Sequence, residues 1–234
     1  SPSVPTVPTA TAEGFWVGNT SNGRKVSLAV LDGGQAWGFY TDNQDNLLGA
    51  FYGDTSTTGT TLNGSGIDFS DMGLVPGTFS GSFSTQSALS LTTSGGVKIN
   101  AAYQAAYELP AALGQIAGTF RGYAATARTG DGPIDVNITS EGRITSSGAG
   151  CSLSGAVAPR DSGKNIFDLS ITFSGAACAL GNGANVRGIA YYEMPTRRLI
   201  AMALNGAKTD GFIYLASPTT TPGDTDDGSS QPTP

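Results

Sequence analysis

Three pairs of aspartates, Asp42 with Asp45, Asp68 with Asp71 and Asp131 with Asp135, stand close enough in the chain to suggest carboxylate chemistry. A glycoside hydrolase needs two such groups, one to protonate the leaving oxygen and one to act as base or nucleophile. Yet "TDNQDN" and "RTGDGP" read as turns, where Asp is common because its carboxylate accepts hydrogen bonds from nearby backbone N–H groups. Asp42, Asn43, Asp45 and Asn46 also offer oxygens to a weak Ca²⁺ site, but the segment lacks the glycine and distal glutamate of an EF-hand loop. The chain contains no histidine, which excludes Ser-His-Asp and Cys-His catalysis and His-ligated metals or haem. No nucleophile with an adjacent base is evident, so the reading is of a non-enzyme without catalytic residues, metal or cofactor.

The only two cysteines are Cys151, in "GAGCSLSG", and Cys178, in "GAACALG". With no histidine and no C-x-x-C, zinc and thioredoxin-like chemistry lack support, and a structural disulfide is the preferred reading. Two buried free thiols are the alternative. A Cys151–Cys178 bond would stabilise the fold by roughly 3.5 kcal/mol on a chain-entropy basis and would place the protein in an oxidising, exported compartment.

The elements carrying these residues read as strands. Charge is sparse, at 13% of residues, and 34 glycines supply turns at short intervals. In "KVSLAVL", Val26, Leu28 and Val30 face one way and Ser27 and Ala29 the other. Similar short runs follow in "QAWGFYT", "NLLGAFYGD", "TTLNGSG", "GTFSGSFS", "SALSLTT" and "VKINAAY", about eight strands with residues 14–20. The second half repeats the plan from "GTFRGYAA" through "IDVNIT", "GRITSSG", "CSLSGAVA", "IFDLSITF", "VRGIAYY", "RLIAMALN" and "GFIYLAS". Both halves open alike, Gly14-Phe15-Trp16-x-Gly18 and Gly118-Thr119-Phe120-x-Gly122, with an aromatic suited to plugging a barrel end.

The predicted fold is all-β: two tandem antiparallel up-and-down barrels of about eight strands, because closure removes exposed strand edges. A sandwich, or one large barrel from all the strands, is the alternative. The division is 1–13 as a disordered tether, 14–105 as the first barrel, 106–117 as a linker with a short helix, 118–217 as the second barrel and 218–234 as a disordered acidic tail. Inward residues such as Ile134, Val136, Ile138, Phe167, Leu169, Ile171 and Phe173 predict filled interiors and no ligand cup.

The tether "SPSVPTVPTATAEG" and the tail "SPTTTPGDTDDGSSQPTP" are Pro-, Thr- and Ser-rich without apolar periodicity, as expected of mobile segments. The chain opens on Ser1 rather than Met, and an upstream segment, a signal peptide for an exported protein, is expected to have been removed. No apolar run approaches the roughly 20 residues of a membrane-spanning helix. A net charge of −6 without a basic stripe argues against nucleic acid as a partner.

Gly14-x-Trp16 resembles the G-x-W of lipocalin and avidin barrels, although Phe120 takes the Trp place in the second copy; the likeness implies no particular ligand. Across most of the chain, the Pro-rich tether, duplicated Gly-rich β unit and acidic composition resemble bacterial surface lipoproteins built on tandem eight-stranded barrels, such as transferrin-binding protein B and factor H-binding protein. That resemblance implies display at the cell surface or outer membrane, or else a periplasmic or secreted location. It also implies an N-terminal lipid anchor on a cysteine that this chain lacks ahead of Gly14.

Function is then expected to be binding of a protein partner through barrel loops at 41–46, 71–77, 158–165 and 193–198. The candidate contacts are Arg160, Lys164, Arg197 and Arg198 with the apolar Leu74, Val75 and Met194. Solvated hairpin loops of mixed charge are the plainer account of the basic residues. Two other functions stand beside this one: a secreted or periplasmic enzyme inhibitor, and a carbohydrate-binding or carbohydrate-active protein, for which Trp37, Tyr40 and Tyr52 would have to be exposed.

Overall fold

Val26, Leu28 and Val30 do share one face, and it is the inside of a closed barrel. A computed structural model describes residues 2–4, 9–129, 132–148 and 150–219 of the chain. The first barrel comprises β1 (Gly14–Thr20), β2 (Lys25–Val30), β3 (Gln35–Thr41), β4 (Leu47–Thr58), β5 (Thr61–Ser70), β6 (Gly73–Ser84), β7 (Ala88–Thr93) and β8 (Lys98–Tyr103). The second comprises β9 (Gly118–Thr126), β10 (Gly132–Ile138), β11 (Arg143–Gly148), β12 (Cys151–Pro159), β13 (Phe167–Ser174), β14 (Asn185–Glu193), β15 (Arg198–Leu204) and β16 (Gly211–Pro218). Each strand pairs antiparallel with its sequence neighbour, and β1–β8 and β9–β16 pairing closes the two rings. Between them the helix-like stretch forms two short 3-10 turns, Ala105–Glu108 and Leu113–Gln115, interrupted at Pro110.

The aromatic of each first strand is a plug. Trp16 is fully buried and its indole N–H donates to the Ala12 carbonyl at 2.8 Å, while Phe120 is buried at the corresponding place in the second barrel. This corrects the tether expectation, because residues 10–13 pack on the barrel instead of trailing free. Ala12 is buried, Thr11 N–H donates to Thr85 Oγ1 at 3.1 Å, and Glu13 accepts from the Tyr107 hydroxyl at 2.7 Å. Small side chains in "TATAEG" let that segment lie flat against the barrel end. The acidic tail from 220 onward lies outside the described residues.

Several strands bury both faces. In β14, β15 and β16 many inward residues are small (Gly188, Ala190, Ala201, Ala203, Ala216) beside the larger Val186, Leu199 and Tyr214, whereas Ile189, Tyr191, Ile200, Met202 and Ile213 point outward. They meet Ala29, Leu31, Trp37, Phe39 and Tyr52 from the outer faces of β2–β4, with Phe15, Tyr107 and Ile166 completing a third core between the barrels. Phe15 packs in a tilted arrangement on Tyr191 at a centroid separation of 4.5 Å and edge-to-face on Tyr107 at 4.9 Å. Near-continuous apolar runs such as "GFIYLAS" are the signature of a strand covered on both sides.

Two other expectations are revised. The barrels are not filled: the first encloses a cavity of about 330 Å³ and the second one of about 450 Å³. Inward glycines such as Gly66 and Gly77, which face each other across β5–β6, and the inward alanines of β14–β16 leave the space. The supposed loop 71–77 is mostly strand, since β6 begins at Gly73. Pro76 is tolerated there because β7 pairs with β6 only from Phe79 onward, so the missing N–H falls on a free edge.

Candidate functional site at the mouth of the first barrel

The two ends of the first barrel differ. At one end Ala12, Trp16, Leu62, Phe83 and Leu89 form a closed floor. The other is ringed by the turns at 21–24, 42–46, 71–72 and 94–97 and opens into the 330 Å³ cavity. The cavity is lined by Val26, Leu28, Phe51, Phe79, Leu91 and Ile99, with Thr20, Asn22, Arg24 and Ser94 at its rim. Strands β4, β5 and β6 carry 12, 10 and 12 residues, so the β5–β6 hairpin overhangs the shorter β7 beside the mouth.

Cross-strand pairs of glycine and an aromatic build this cup. Phe51 lies over its partner Gly38, Phe79 over Gly64 and Tyr40 over Gly49. A Cβ at Gly49 would stand 2.3 Å from the Tyr40 hydroxyl oxygen. With no side chain there, the ring crosses β4 and its hydroxyl reaches β5, donating to Asp68 at 3.0 Å from Oδ1 and 3.1 Å from Oδ2. Burial in the apolar cup raises the Asp68 carboxyl above the usual carboxylate range, against the lowering effect of the Tyr40 hydrogen bond. Burial, then the Asp68 charge, pushes the Tyr40 phenol well above its ordinary value.

The other carboxylate candidates have separate work. Asp42 caps its own turn, accepting from the N–H groups of Gln44 at 2.8 Å and Asn46 at 3.0 Å, as the turn reading expects. Asp45 pairs with Lys25 at 3.1 Å and Asp135 with Arg121 at 2.9 Å, both exposed. Asp131 lies outside the described residues. Trp37 and Tyr52 are buried in the seam between the barrels and stack edge-to-face at 4.6 Å, and Tyr40 lies inside the cup.

The candidate contact residues separate into three groups. Leu74 and Val75 lie on the overhanging hairpin, 41% and 48% exposed, with Val75 on the face that borders the cup, and the neighbouring Met72 is 83% exposed at its tip. Arg160, Lys164 and Arg198 belong instead to the seam. The Arg160 guanidinium bonds Asp32 of the first barrel at 2.7 Å and Asp168 of the second at 2.8 Å. Lys164 bonds Glu108 of the linker at 2.6 Å, next to the buried Asn165, which donates to the Ala106 carbonyl. Arg198 sits over the Phe39 ring at 5.6 Å and pairs with Glu193 at 3.4 Å. Loop 158–165 is thus a latch between the barrels, which sequence spacing alone could not indicate because its partners lie 56 and 128 residues away. Arg197 and Met194 remain in the exposed β14–β15 turn, away from the latch.

Cys151 and Cys178 form a disulfide that ties the 175–184 loop to the start of β12 beside the second cavity. Such a bond fits an oxidising, exported environment. No helix of the described residues is long and apolar enough to cross a membrane. Comparison with known proteins finds no matching family, no matching curated protein and no matching solved structure.

Proposed function

We propose that this is an exported, surface-displayed binding protein that engages a protein partner through the β5–β6 hairpin at the mouth of its first barrel. One observation carries the reading: Met72 and Leu74, two large apolar side chains, stand exposed on one overhanging hairpin outside the cup, while Val75 on the opposite strand face borders the cup. Clustered exposed apolar residues flanked by polar turns are the usual core of a protein interface, whereas singly scattered ones need no explanation. The tandem barrels and the disulfide agree with the resemblance to surface lipoproteins, which supports an outer-surface location and an anchor ahead of the tether. Burial of Trp37 and Tyr52 deprives the carbohydrate reading of the exposed platform it requires.

A photo-crosslinking residue placed at position 74 of the full chain, with a control at Met194, tests the proposal in cell-envelope extract and in host serum. Crosslinking of one protein from position 74 alone, and its loss in a Met72→Ser, Leu74→Ser variant with unchanged thermal unfolding, is the expected result. Equal capture from both positions, or retention by the double variant, overturns it. The overhanging hairpin also has the form of an element that enters an enzyme's cleft, so the inhibitor reading stays as the second, distinguished by stoichiometric inhibition of the captured protein.

A further inference from the structure

The first barrel's cup holds a carboxylate without a counter-ion. Among the described residues, no lysine or arginine stands within ion-pair distance of Asp68, whereas Asp32, Asp168 and Glu108 of the seam and latch each pair with a cation. Its one side-chain partner is the Tyr40 hydroxyl. The walls around it are apolar, and Phe51, Phe79 and Ile99 remain half-exposed to the cavity instead of packing shut. An open apolar pocket of about 330 Å³ with one convergent polar pair is within the size range of small-molecule sites. The second barrel's cavity differs in this respect: its Tyr214 hydroxyl already donates to the Ile134 carbonyl at 2.9 Å, and the wall offers no charged group.

We propose that this cup binds a small organic ammonium compound, with its cationic head on the Asp68 carboxylate and its apolar body against Phe51, Phe79, Leu91 and Ile99. The charge complements the half-buried acid of the cup, and the faces of Tyr40, Phe51 and Phe79 add the attraction of aromatic rings for a cation. Burial costs the ionised carboxylate its hydration, and a bound ammonium would return the group to its ionised form. Gly49 keeps the dyad in place by letting the Tyr40 ring cross β4. Arg24 lines the rim and its charge works against any entering cation, so the attraction has to come from Asp68 and the aromatic faces. Met72 and Leu74 of the hairpin surface proposed above do not line this cup, although Val75 borders it, so tests at Leu74 and at Asp68 can fail independently.

Isothermal titration of the full chain at neutral pH with octylammonium, octanoate and 1-octanol tests the assignment. Saturable one-to-one binding of octylammonium is expected, with octanoate weaker by about tenfold or more, the usual scale of a charge-assisted hydrogen bond. Asp68→Asn, which keeps the shape and the bond from Tyr40, should weaken octylammonium by about the same factor and leave 1-octanol unchanged. Gly77→Phe should abolish all binding by filling the mouth, with Ser94 Oγ, 3.1 Å from the Cβ position, giving way by a few tenths of an ångström. In the unaltered chain, the carboxyl carbon resonance of Asp68 should shift as octylammonium is added. No saturable binding, octanoate binding as well as octylammonium, or full affinity in either variant overturns the proposal.

Discussion

Arg160 of the second barrel places its Nε 2.7 Å from Asp32 of the first, while its Nη1 lies 2.8 Å from Asp168 of its own barrel. One guanidinium therefore holds a carboxylate of each unit, and its side chain is only 22% exposed. A half-buried charge with two partners is costly to reverse, because both carboxylates would then face a third negative group. Arg160→Glu is expected to lower stability by about 2 kcal/mol, between the values of surface and fully buried pairs. Arg197→Glu, in the exposed turn, should stay within about 0.5 kcal/mol. Urea unfolding of both variants checks the contrast. Read from sequence as a solvated hairpin loop of mixed charge, segment 158–165 gives no sign of this contrast.

The seam makes a second prediction. The second barrel closes on its own hydrogen bonds and has its own interior, to which Ile116 and Leu113 of the linker contribute, so residues 111–219 should fold when produced alone. They would then expose Ile189, Tyr191, Ile200, Met202 and Ile213, which the first barrel covers in the whole chain. Each such side chain fully buried is worth about 1.5–3 kcal/mol, enough to drive self-association when uncovered. Sedimentation should show dimers or larger species, and Ile189→Thr, Ile200→Thr and Ile213→Thr together should return a monomer that unfolds cooperatively. An unfolded fragment would show that the barrels require each other.

Alternation and turn residues made the strand count and the pairing of halves legible, and two cysteines without other chemistry made the disulfide legible. The seam was readable only in part. Trp37 sits between Ala36 and Gly38, so alternation could not say which face is covered, and the answer depends on Ile189 and Met202 more than 150 residues away. The length of β4–β6 was hidden for a different reason. Gly64, Gly66 and Gly77 look like turn signals, yet here Phe79 lies over Gly64 in mid-strand, a relation between partners on two strands. For the same reason Tyr40 and Asp68, 28 residues apart, carried no mark of belonging together.

That pairing depends on Gly49. A methyl group there would meet the Tyr40 Oη at 2.3 Å and Cζ at 2.5 Å, and the Phe69 carbonyl oxygen at 2.8 Å, so either the ring or the strand must move. Gly49→Ala is expected to cost about 1–3 kcal/mol as an overpacking change and to break the bond from Tyr40 to Asp68. Gly59→Ala, at a hairpin turn with open space around its Cβ position, tests strain without contact, since Gly59 has φ of 61°. Only the first should move the tyrosine ring resonances of Tyr40.

Two carboxylates give the protein opposing responses to pH. Asp68 is raised above its ordinary 3.8 by burial, so the folded state holds its proton more tightly than the unfolded chain does. Its contribution is most favourable below that ordinary value and is lost as pH rises through the raised folded value. Glu108 is lowered from its ordinary 4.5, first by the hydrogen bond from Lys164 and then by that from Tyr103. Its contribution is present above that ordinary value and is lost as pH falls through the lowered folded value. Asp68→Asn should therefore be more stable than the parent chain at pH 7, with the gain fading toward pH 3. Glu108→Gln should be less stable at pH 7, by less than about 1 kcal/mol for so exposed a pair, with the loss fading toward the same limit. Denaturation midpoints of the three chains across pH 3–8 measure both differences. Two differences of the same sign would mean that Asp68 is held by a cation in the folded state and that its isolation in the cup is wrong.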